Sequence, residues 1–369
     1  MDRLPNTSGL DALNRRRFFW LLGATGISAG ASLELLAACG IGAPSAGTSG
    51  AVTVPAGTFA GVNNQVIKDA ALPAFQKKYP KATIELAIRA AAEEYPKLQA
   101  SPGRPNEAVG MWNDTFSALG SSAGLFEKFD DSLVPNRKYI PKSVEPANGL
   151  GIAAAIQPYG IAYNPKYVEK PTSWLDLFNP KYVGKVAMHS NFWDQYVMLA
   201  YTLGTDEHHL DVAINEWAKH KQNIGVWTTS FTQLQELVDK GEMWLGPQWG
   251  GFTTAAQRQG LHIAFSWPKE GCTQQSIIVH VNKGFSSDVH AMAENFANEW
   301  LTPATALAFL TQAGLSPANS QVAVPAEFTQ YEGIITADRL KQNKLLKYDY
   351  GYVGSHLTAI TQLITEKLT

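Results

Sequence analysis

The segment GIAYNPKYVEKPTSWLDLFNPKYVGKV, residues 160–186, contains the strongest structural signals in the chain. Asn164 and the proline after it mark the end of an apolar strand, because proline cannot donate a hydrogen bond to a sheet. Ser173 is a typical N-cap for the short helix that carries Trp174, and Asn179 with its following proline ends that helix. The pattern predicts a strand and a capped helix, with Trp174 in the core rather than in a binding site.

Before this segment, helical and strand patterns alternate. Residues 66–79 have helical spacing of apolar side chains, and Pro73 within them must begin a new helix or kink an existing one. Residues 82–88 (ATIELAI) alternate apolar and polar side chains, as a half-buried strand does. Alternation of helices with strands predicts an α/β fold.

The same alternation continues after the segment. Thr232 with Gln235 forms a capping-box pair that predicts a helix ended by Gly241. Residues 243–246 (MWLG) predict a short buried strand. Thr302 stands before a proline at a first helical position, which predicts the start of another helix.

The first 39 residues have the order of an export signal. A basic cluster at residues 15–17 (RRR) precedes a weakly apolar stretch, residues 20–31, and the small-residue sequence Leu-Ala-Ala-Cys ends at Cys39. The paired arginines and the glycines in the apolar stretch favour the twin-arginine type. The sequence around Cys39 resembles a bacterial lipobox. We therefore predict removal of residues 1–38, lipidation of Cys39 and a flexible tether over residues 39–50, which are rich in glycine and serine.

The amino-acid composition limits the possible ligands, disulfides and domain number. Without residues 1–38 the chain carries 26 basic and 29 acidic residues, so it has no strong positive charge for binding nucleic acid. Only Cys272 remains besides Cys39, which excludes an internal disulfide in a lipidated protein. Ten tryptophans, thirteen tyrosines and sixteen phenylalanines supply rings for a core or for a ligand cleft. The length favours two domains.

Five motifs give the chain a family resemblance. Residues 160–165 (GIAYNP), 171–178 (PTSWLDLF) and 179–186 (NPKYVGKV) resemble the second-lobe entry of type 2 extracellular solute-binding proteins of ABC importers. Residues 246–252 (GPQWGGF) and 267–271 (WPKEG) are similar to the spermidine/putrescine branch of that family. The resemblance extends over most of residues 51–369.

The resemblance implies a two-lobed α/β fold, with a ligand held between the lobes and hinge crossovers joining them. The first lobe is expected at residues 51–156 plus 277–320, and the second at residues 157–276 plus 321–369. The implied protein is not an enzyme, uses no cofactor and no metal, and binds a small solute as a monomer. Its expected partners are an ABC permease, an ATPase and the membrane that holds its lipid anchor.

Carried over position by position, the resemblance places several segments in the cleft. Residues 112–114 correspond to the binding loop of the first lobe, residues 157–159 to the first crossover and residues 191–194 to a helix start in the second lobe. Trp249 aligns with a ligand-stacking tryptophan. The candidate ligand-binding residues are Trp112, Asn113, Asp114, Tyr159, Trp193, Asp194, Trp249, Gln274, Gln275 and Asp349.

Aromatic rings beside carboxylates suit an amine cation. A ring face contributes about 0.5 to 2 kcal/mol and a carboxylate supplies the opposite charge. Where the polyamine branch has an aromatic residue and a carboxylate in the return loop, this chain has Thr273, Gln274 and Gln275. A missing carboxylate would leave the second charge of a dication unpaired. A polyamine-like amine is favoured, but a monocation or a polar neutral molecule also fits.

Other interpretations remain open at this point. Each aromatic candidate could belong to the core, and Asp114 and Asp194 could be helix caps. A secreted hydrolase would need a nucleophile and a base, or a metal cluster, and no motif indicates one. A sensor or adhesion lipoprotein could share the fold. The alternating tyrosines of residues 348–352 are similar to those of ferric-iron-binding transport proteins, whereas His208 and His209 fit an exposed loop better than a metal site.

Overall fold

The computed structural model describes residues 51–146, 149–190 and 192–369. Its strands are β1 (Val52–Thr58), β2 (Ala82–Ile88), β3 (Val109–Trp112), β4 (Ile152–Tyr163), β5 (Val186–His189), β6 (Ile224–Thr228), β7 (Leu245–Trp249), β8 (Ala264–Ser266), β9 (Cys272–Val281), β10 (Ser316–Pro317) and β11 (Leu345–Leu346). The predicted export signal, Cys39 and the tether up to residue 50 lie outside the described residues.

The α-helices surround these strands. They are α1 (Val62–Val66), α2 (Leu72–Lys78), α3 (Ala91–Ala100), α4 (Asp114–Ser122), α5 (Asp194–Thr202), α6 (Leu210–Lys219), α7 (Phe231–Asp239), α8 (Gly250–Arg258), α9 (Ser287–Trp300), α10 (Pro303–Ala313), α11 (Ala326–Thr329), α12 (Ala337–Gln342), α13 (Tyr350–Ser355) and α14 (Leu357–Leu368). None of the helices in the described part of the chain is long and apolar enough to cross a membrane.

The strands form one mixed sheet in the order β2-β1-β3-β9-β4-β7-β5-β6. Strands β1, β2 and β3 are parallel to one another, and so are β5, β6 and β7. The two longest strands, β4 and β9, lie antiparallel between these groups. Every residue of both strands is buried, as expected for strands that are covered on both faces.

Two large hydrophobic cores correspond to the two lobes. The first core includes Phe75, Phe296 and Trp300 beside β1 to β3, and the second includes Trp174, Tyr196 and Trp217 beside β5 to β7. The α/β two-lobed fold predicted from the sequence is therefore confirmed. Some residues near the crossovers, such as Trp267, join the first core. The lobe boundaries given above stay a prediction.

Most local predictions are confirmed. Strand β2 has the predicted bounds, and a π-helical turn at Ile67–Ala71 precedes Pro73, which lies at the start of α2. Ser173 caps a 3₁₀ helix, and Trp174 is 1% exposed. Thr302 caps α10 by accepting a hydrogen bond from the amide of Thr305.

Two local predictions were wrong in position. Helix α7 is capped by Ser230, whose hydroxyl accepts hydrogen bonds from the next amides, and not by Thr232. Serine and threonine are both good caps, so the choice depends on where the chain leaves β6. The predicted strand at residues 243–246 begins only at Leu245 and continues to Trp249. Here β7 pairs with β4, which the local pattern could not indicate.

The C-terminal segment touches both lobes. Strand β11 adds to β9 in parallel, with Leu345 beside Cys272 and Leu346 beside Thr273. Helix α13 then packs on α4 of the first lobe, where Gly354 lies close to Leu119, and α14 packs on α6 of the second lobe. The last residues of the chain therefore form a third connection between the lobes.

Candidate functional site

The first predicted carboxylate, Asp114, lies where β3 ends and α4 begins. Asn113 caps α4 by accepting a hydrogen bond from the Phe116 amide at 3.0 Å. The Asp114 carboxylate accepts hydrogen bonds from the amide of Ser276 at 2.6 Å and from its hydroxyl at 3.0 Å. Burial raises the pKa of Asp114 to about 7, although both hydrogen bonds favour the ionised form. Asp114 is thus not the helix cap, and β9 fixes its position.

The second predicted carboxylate, Asp194, has an equivalent place in the other lobe. It is the first residue of α5 and is only 2% exposed. Its Oδ1 atom accepts hydrogen bonds from the Thr273 hydroxyl at 2.7 Å and from the Gln275 side-chain amide at 2.6 Å. Burial raises the pKa of Asp194 to about 6. Among the described residues, neither Asp194 nor Asp114 forms an ion pair with a basic side chain.

The crossover strands bring these groups together. Thr273 of β9 lies beside Tyr159 of β4, which in turn lies beside Trp249 of β7. Residues that are opposite each other on neighbouring strands place their side chains on the same face. Thr273, whose hydroxyl binds Asp194, therefore lies on the same face of the sheet as Tyr159 and Trp249.

Five rings on this face form what we call the aromatic cluster: Tyr159, Phe192, Trp193, Phe231 and Trp249. The centroid of Phe192 lies 5.1 Å from Tyr159, 4.9 Å from Trp249 and 5.2 Å from Phe231. Tyr159 is fully buried, whereas Trp193 and Trp249 keep some exposure. The Nε1 atom of Trp249 is buried and has no hydrogen-bond partner among the described residues. Asn191, which precedes this cluster in the predicted segment, lies outside those residues.

A cavity of about 390 Å³ opens beside Asp114, and we call it the Asp114 cavity. Its walls come from the first lobe and from the C-terminal segment. They are formed by Asp114, Ser117, Ala118, Ser122, Pro146, Ile278, Lys347, Tyr348, Asp349, Tyr350 and Gly351. The cavity therefore lies where the C-terminal segment meets α4, with a buried carboxylate in its wall.

Tyr348 connects the Asp114 cavity with the second carboxylate. It is buried, and both burial and the negative charges of Asp194 and Asp114 raise the pKa of its hydroxyl. The charge of Asp194 also raises the pKa of Asp114. The two carboxylates are thus close enough to influence each other, and Tyr348 lies near both.

The remaining predicted residues support the site in different ways. Gln275 holds Asp194, whereas Gln274 donates a hydrogen bond to the Ser276 hydroxyl at 3.0 Å on the side of Asp114. The Tyr350 hydroxyl donates to the Gln274 carbonyl. Asp349 lines the mouth of the Asp114 cavity and caps α13 by accepting a hydrogen bond from the Tyr352 amide at 2.9 Å.

Trp112 is not brought to the aromatic cluster. Its ring is fully buried in the first lobe, where it packs edge-on against Phe126 at 5.1 Å. The Arg89 guanidinium lies 4.7 Å from the ring centroid. Arg89 in turn forms a buried ion pair with Glu107. The position of Trp112 indicates a core residue, and Asn113 beside it is a helix cap.

Several residues of the site were absent from the predicted set, among them Phe192, Tyr348, Ser276 and Phe231. Phe192 was part of a predicted segment but was not selected, and Tyr348 was noted only in the run of alternating tyrosines. Ser276 directly follows the two predicted glutamines, and this position could have indicated that it belongs to the site. Phe231 gave no signal, because the start of α7 had been predicted after it.

The structure bears on the hydrolase, iron and metal alternatives. The structure brings Ser117 Oγ within 2.7 Å of His280 Nε2, a pair that the sequence did not indicate. Burial lowers the pKa of His280 to about 3, so this histidine is a weak base near neutral pH. Burial also raises the pKa of Tyr348 and Tyr350, which disfavours tyrosinate ligands for iron. His208 and His209 are exposed, as predicted, but they lie in a 3₁₀ helix (Glu207–His209) rather than in a loop, and His209 pairs with Asp206.

The chain is similar in sequence to a curated periplasmic binding protein. The chain is 30% identical to the spermidine/putrescine-binding periplasmic protein of Escherichia coli K12 over 163 residues, which are 40% of this chain and 45% of that protein. The chain therefore spans about half the length of this curated relative.

Solved structures agree on the fold. An ABC transporter protein from Clostridium perfringens superposes with a TM-score of 0.72 at 21% identity, covering 86% of this chain and 100% of that chain. A spermidine/putrescine ABC transporter substrate-binding protein from Streptococcus pneumoniae gives a TM-score of 0.67 at 16% identity, with 86% and 100% coverage. A sequence profile of the bacterial extracellular solute-binding proteins matches residues 70–336. The chain belongs to this family of bacterial extracellular solute-binding proteins.

Proposed function

We propose that this protein is the substrate-binding subunit of an ABC importer and that it performs no catalysis. It captures a small cationic or polar solute between its lobes, with a polyamine-like amine as the favoured ligand, and delivers it to a permease. Membership of the solute-binding family supports the general role. The name of the Escherichia coli relative supports an amine, although the similarity covers less than half of that protein.

The observation that carries the choice of a cation is the state of Asp114 and Asp194. Both carboxylates are buried, and neither has an ion-pair partner among the described residues. A buried carboxylate without a cation is costly, which is why burial raises both pKa values, to about 7 and about 6. A ligand ammonium group placed near them would supply the missing positive charge. The partly exposed rings of Trp193 and Trp249 would cover its alkyl part, and the buried ring of Tyr159 packs behind Trp249.

Lobe closure would couple binding to delivery. Asp114 belongs to the first lobe and Asp194 to the second, so a ligand that reaches both carboxylates gains most of its binding energy when the lobes are together. Such a ligand shifts the population towards the closed form by its differential affinity for the two states. The permease would then distinguish the loaded protein by its shape.

Titration calorimetry with putrescine, spermidine, choline and a neutral sugar tests this function. We expect an amine to bind, and Asp194→Asn to weaken its binding at least tenfold, because a hydrogen bond to a charged group is worth about 1.5 to 3 kcal/mol. Asp211→Asn is the matched control, since Asp211 is an exposed carboxylate on α6. Equal affinity in Asp194→Asn and Asp211→Asn would contradict the assignment of the site.

The lipid anchor is a separate part of the proposal. The Leu-Ala-Ala-Cys sequence that ends at Cys39 supports lipidation at that thiol. An alkyne-tagged fatty acid fed to expressing cells should label the wild type and Cys272→Ala, but not Cys39→Ala. Cys272 is a suitable control because its side chain is fully buried. Labelling of Cys39→Ala would exclude this anchor.

A further inference from the structure

The Asp114 cavity contains a positive charge as well as a negative one. The Lys347 side chain lines the same space as the Asp114 carboxylate. The two groups attract each other electrostatically, yet they do not form an ion pair. Opposite charges that face one cavity without touching leave room for a molecule between them. An ammonium group would fit beside Asp114, and an anionic group would fit beside Lys347.

The position of Lys347 is fixed by its neighbours. It follows β11, which is hydrogen-bonded to β9, and it precedes the buried Tyr348. Within the part of the chain that the structure describes, its ammonium donates one hydrogen bond, to the main-chain carbonyl of Glu145 at 2.7 Å. An ammonium has three donors, so two remain for other groups. Lys347 is an exposed residue overall, and its hydrogen bond to Glu145 holds the ammonium group beside the cavity.

Glu145 does not neutralise this lysine by direct contact. The Glu145 carboxylate is already bound by Arg137 at 3.2 Å and by Lys142 at 2.7 Å. Only its main-chain carbonyl contacts Lys347. The Asp349 carboxylate also lines the cavity mouth, but it is engaged by the Tyr352 amide. Lys347 is thus the basic side chain that the cavity offers to a ligand.

We propose that the ligand is a zwitterion, an amino acid whose ammonium group binds near Asp114 and whose carboxylate binds Lys347. This inference rests on the proposed function and narrows its substrate class. If a second ammonium group took the place of this carboxylate, Lys347 would repel it. A diamine of the same length is therefore the poorer ligand. The cavity of about 390 Å³ is large enough for a small amino acid.

A matched ligand series tests the proposal. ω-Amino acids of three to six carbons and α-amino acids of similar size are titrated into the wild-type protein, and each is compared with the diamine and the monoamine of equal length. We expect at least one amino acid to bind more than tenfold tighter than its matched diamine. The variant Lys347→Gln should lower the affinity for that amino acid at least tenfold and raise the affinity for the diamine. Lys347→Arg should keep the wild-type order of affinities.

Lys341→Gln is the control variant, because Lys341 is exposed and pairs with Asp338 at the surface. A diamine that binds the wild type more tightly than every amino acid, with no change in Lys347→Gln, would overturn the zwitterion proposal and leave the amine-binding function intact. An amino acid that binds Lys347→Gln as tightly as wild type would overturn it as well. The absence of binding by every amine would reject both proposals together.

Discussion

The carboxylates of Asp114 and Asp194 are bound by consecutive residues of one strand. Ser276 holds Asp114 and Gln275 holds Asp194, although the two aspartates follow different strands in different lobes. In the arrangement of the lobes seen here, strand β9 therefore brings the two carboxylates together. A ligand that contacts both groups would favour this arrangement over one in which the lobes are apart.

The raised pKa values predict a pH dependence of ligand-free stability. Asp114 has a pKa of about 7 and Asp194 of about 6 in the folded protein, compared with 3.8 for an ordinary aspartate. Between about pH 4 and pH 7 the folded state binds more protons than the unfolded state, so the free energy of unfolding falls as the pH rises. We expect the ligand-free protein to melt at a higher temperature at pH 5 than at pH 8. Asp114→Asn and Asp194→Asn together should reduce this difference.

Amine binding should show the opposite trend. The ammonium group favours the ionised carboxylates, so its apparent affinity should rise between pH 5 and pH 8 and its binding should release protons. Calorimetry in buffers of different ionisation enthalpy measures that release. Binding without proton release near pH 6.5 would show that the amine does not approach Asp114 or Asp194.

Local signals were sufficient for most of the helices and strands, whereas the two-lobed fold and the candidate site residues came from the family resemblance. Capping at Ser173 and the proline at residue 73 are decided within a few residues, and both were predicted correctly. Asp114 and Asp194 were selected because the family resemblance carried over to their positions, and their role in ligand binding stays a prediction. The bonds from Ser276 and Thr273 depend on the register between β3, β4 and β9, which no local pattern contains. Lys347 reaches the cavity only through the pairing of β11 with β9.

Replacement of Trp249 by phenylalanine tests the role of the aromatic cluster. Trp249 is partly exposed and contacts three other rings of the cluster. We expect Trp249→Phe to reduce the binding free energy of the amine by about 0.5 to 2 kcal/mol. The change in tryptophan fluorescence on binding should become smaller as well. Trp244→Phe is the control, because Trp244 stacks on Tyr167 outside the cluster. A larger loss of affinity in Trp244→Phe would contradict this role.

The buried ion pair of Arg89 and Glu107 predicts a large effect on stability. Arg89 Nε donates to Glu107 at 2.8 Å, and both side chains are almost fully buried. Arg89→Met leaves a buried carboxylate without its partner, and urea unfolding should show a loss of about 3 to 5 kcal/mol. The double variant Arg89→Met with Glu107→Gln should recover part of the loss. A double variant less stable than Arg89→Met would argue against this cause.

A single glycine should limit the packing of the second lobe. A Cβ atom on Gly246 of β7 would collide with the main-chain carbonyl oxygen of Ala187 on β5. Because a main-chain atom within a sheet cannot move independently, Gly246→Ala should destabilise the protein by about 1 to 3 kcal/mol. Gly103→Ala places its methyl group in open space and should change the melting temperature little. Similar melting temperatures for both variants would refute the collision.

The third connection between the lobes is made by the end of the chain. Strand β11 completes the sheet beside β9, while α13 and α14 rest on different lobes. A ribosome synthesises these residues after every strand from β1 to β10. The second core gains Tyr348, Val353 and Ile360 only at that stage. A nascent chain that stops before residue 345 would therefore lack one wall of the Asp114 cavity, and Asp114 and Asp194 would exist before their common neighbour Tyr348.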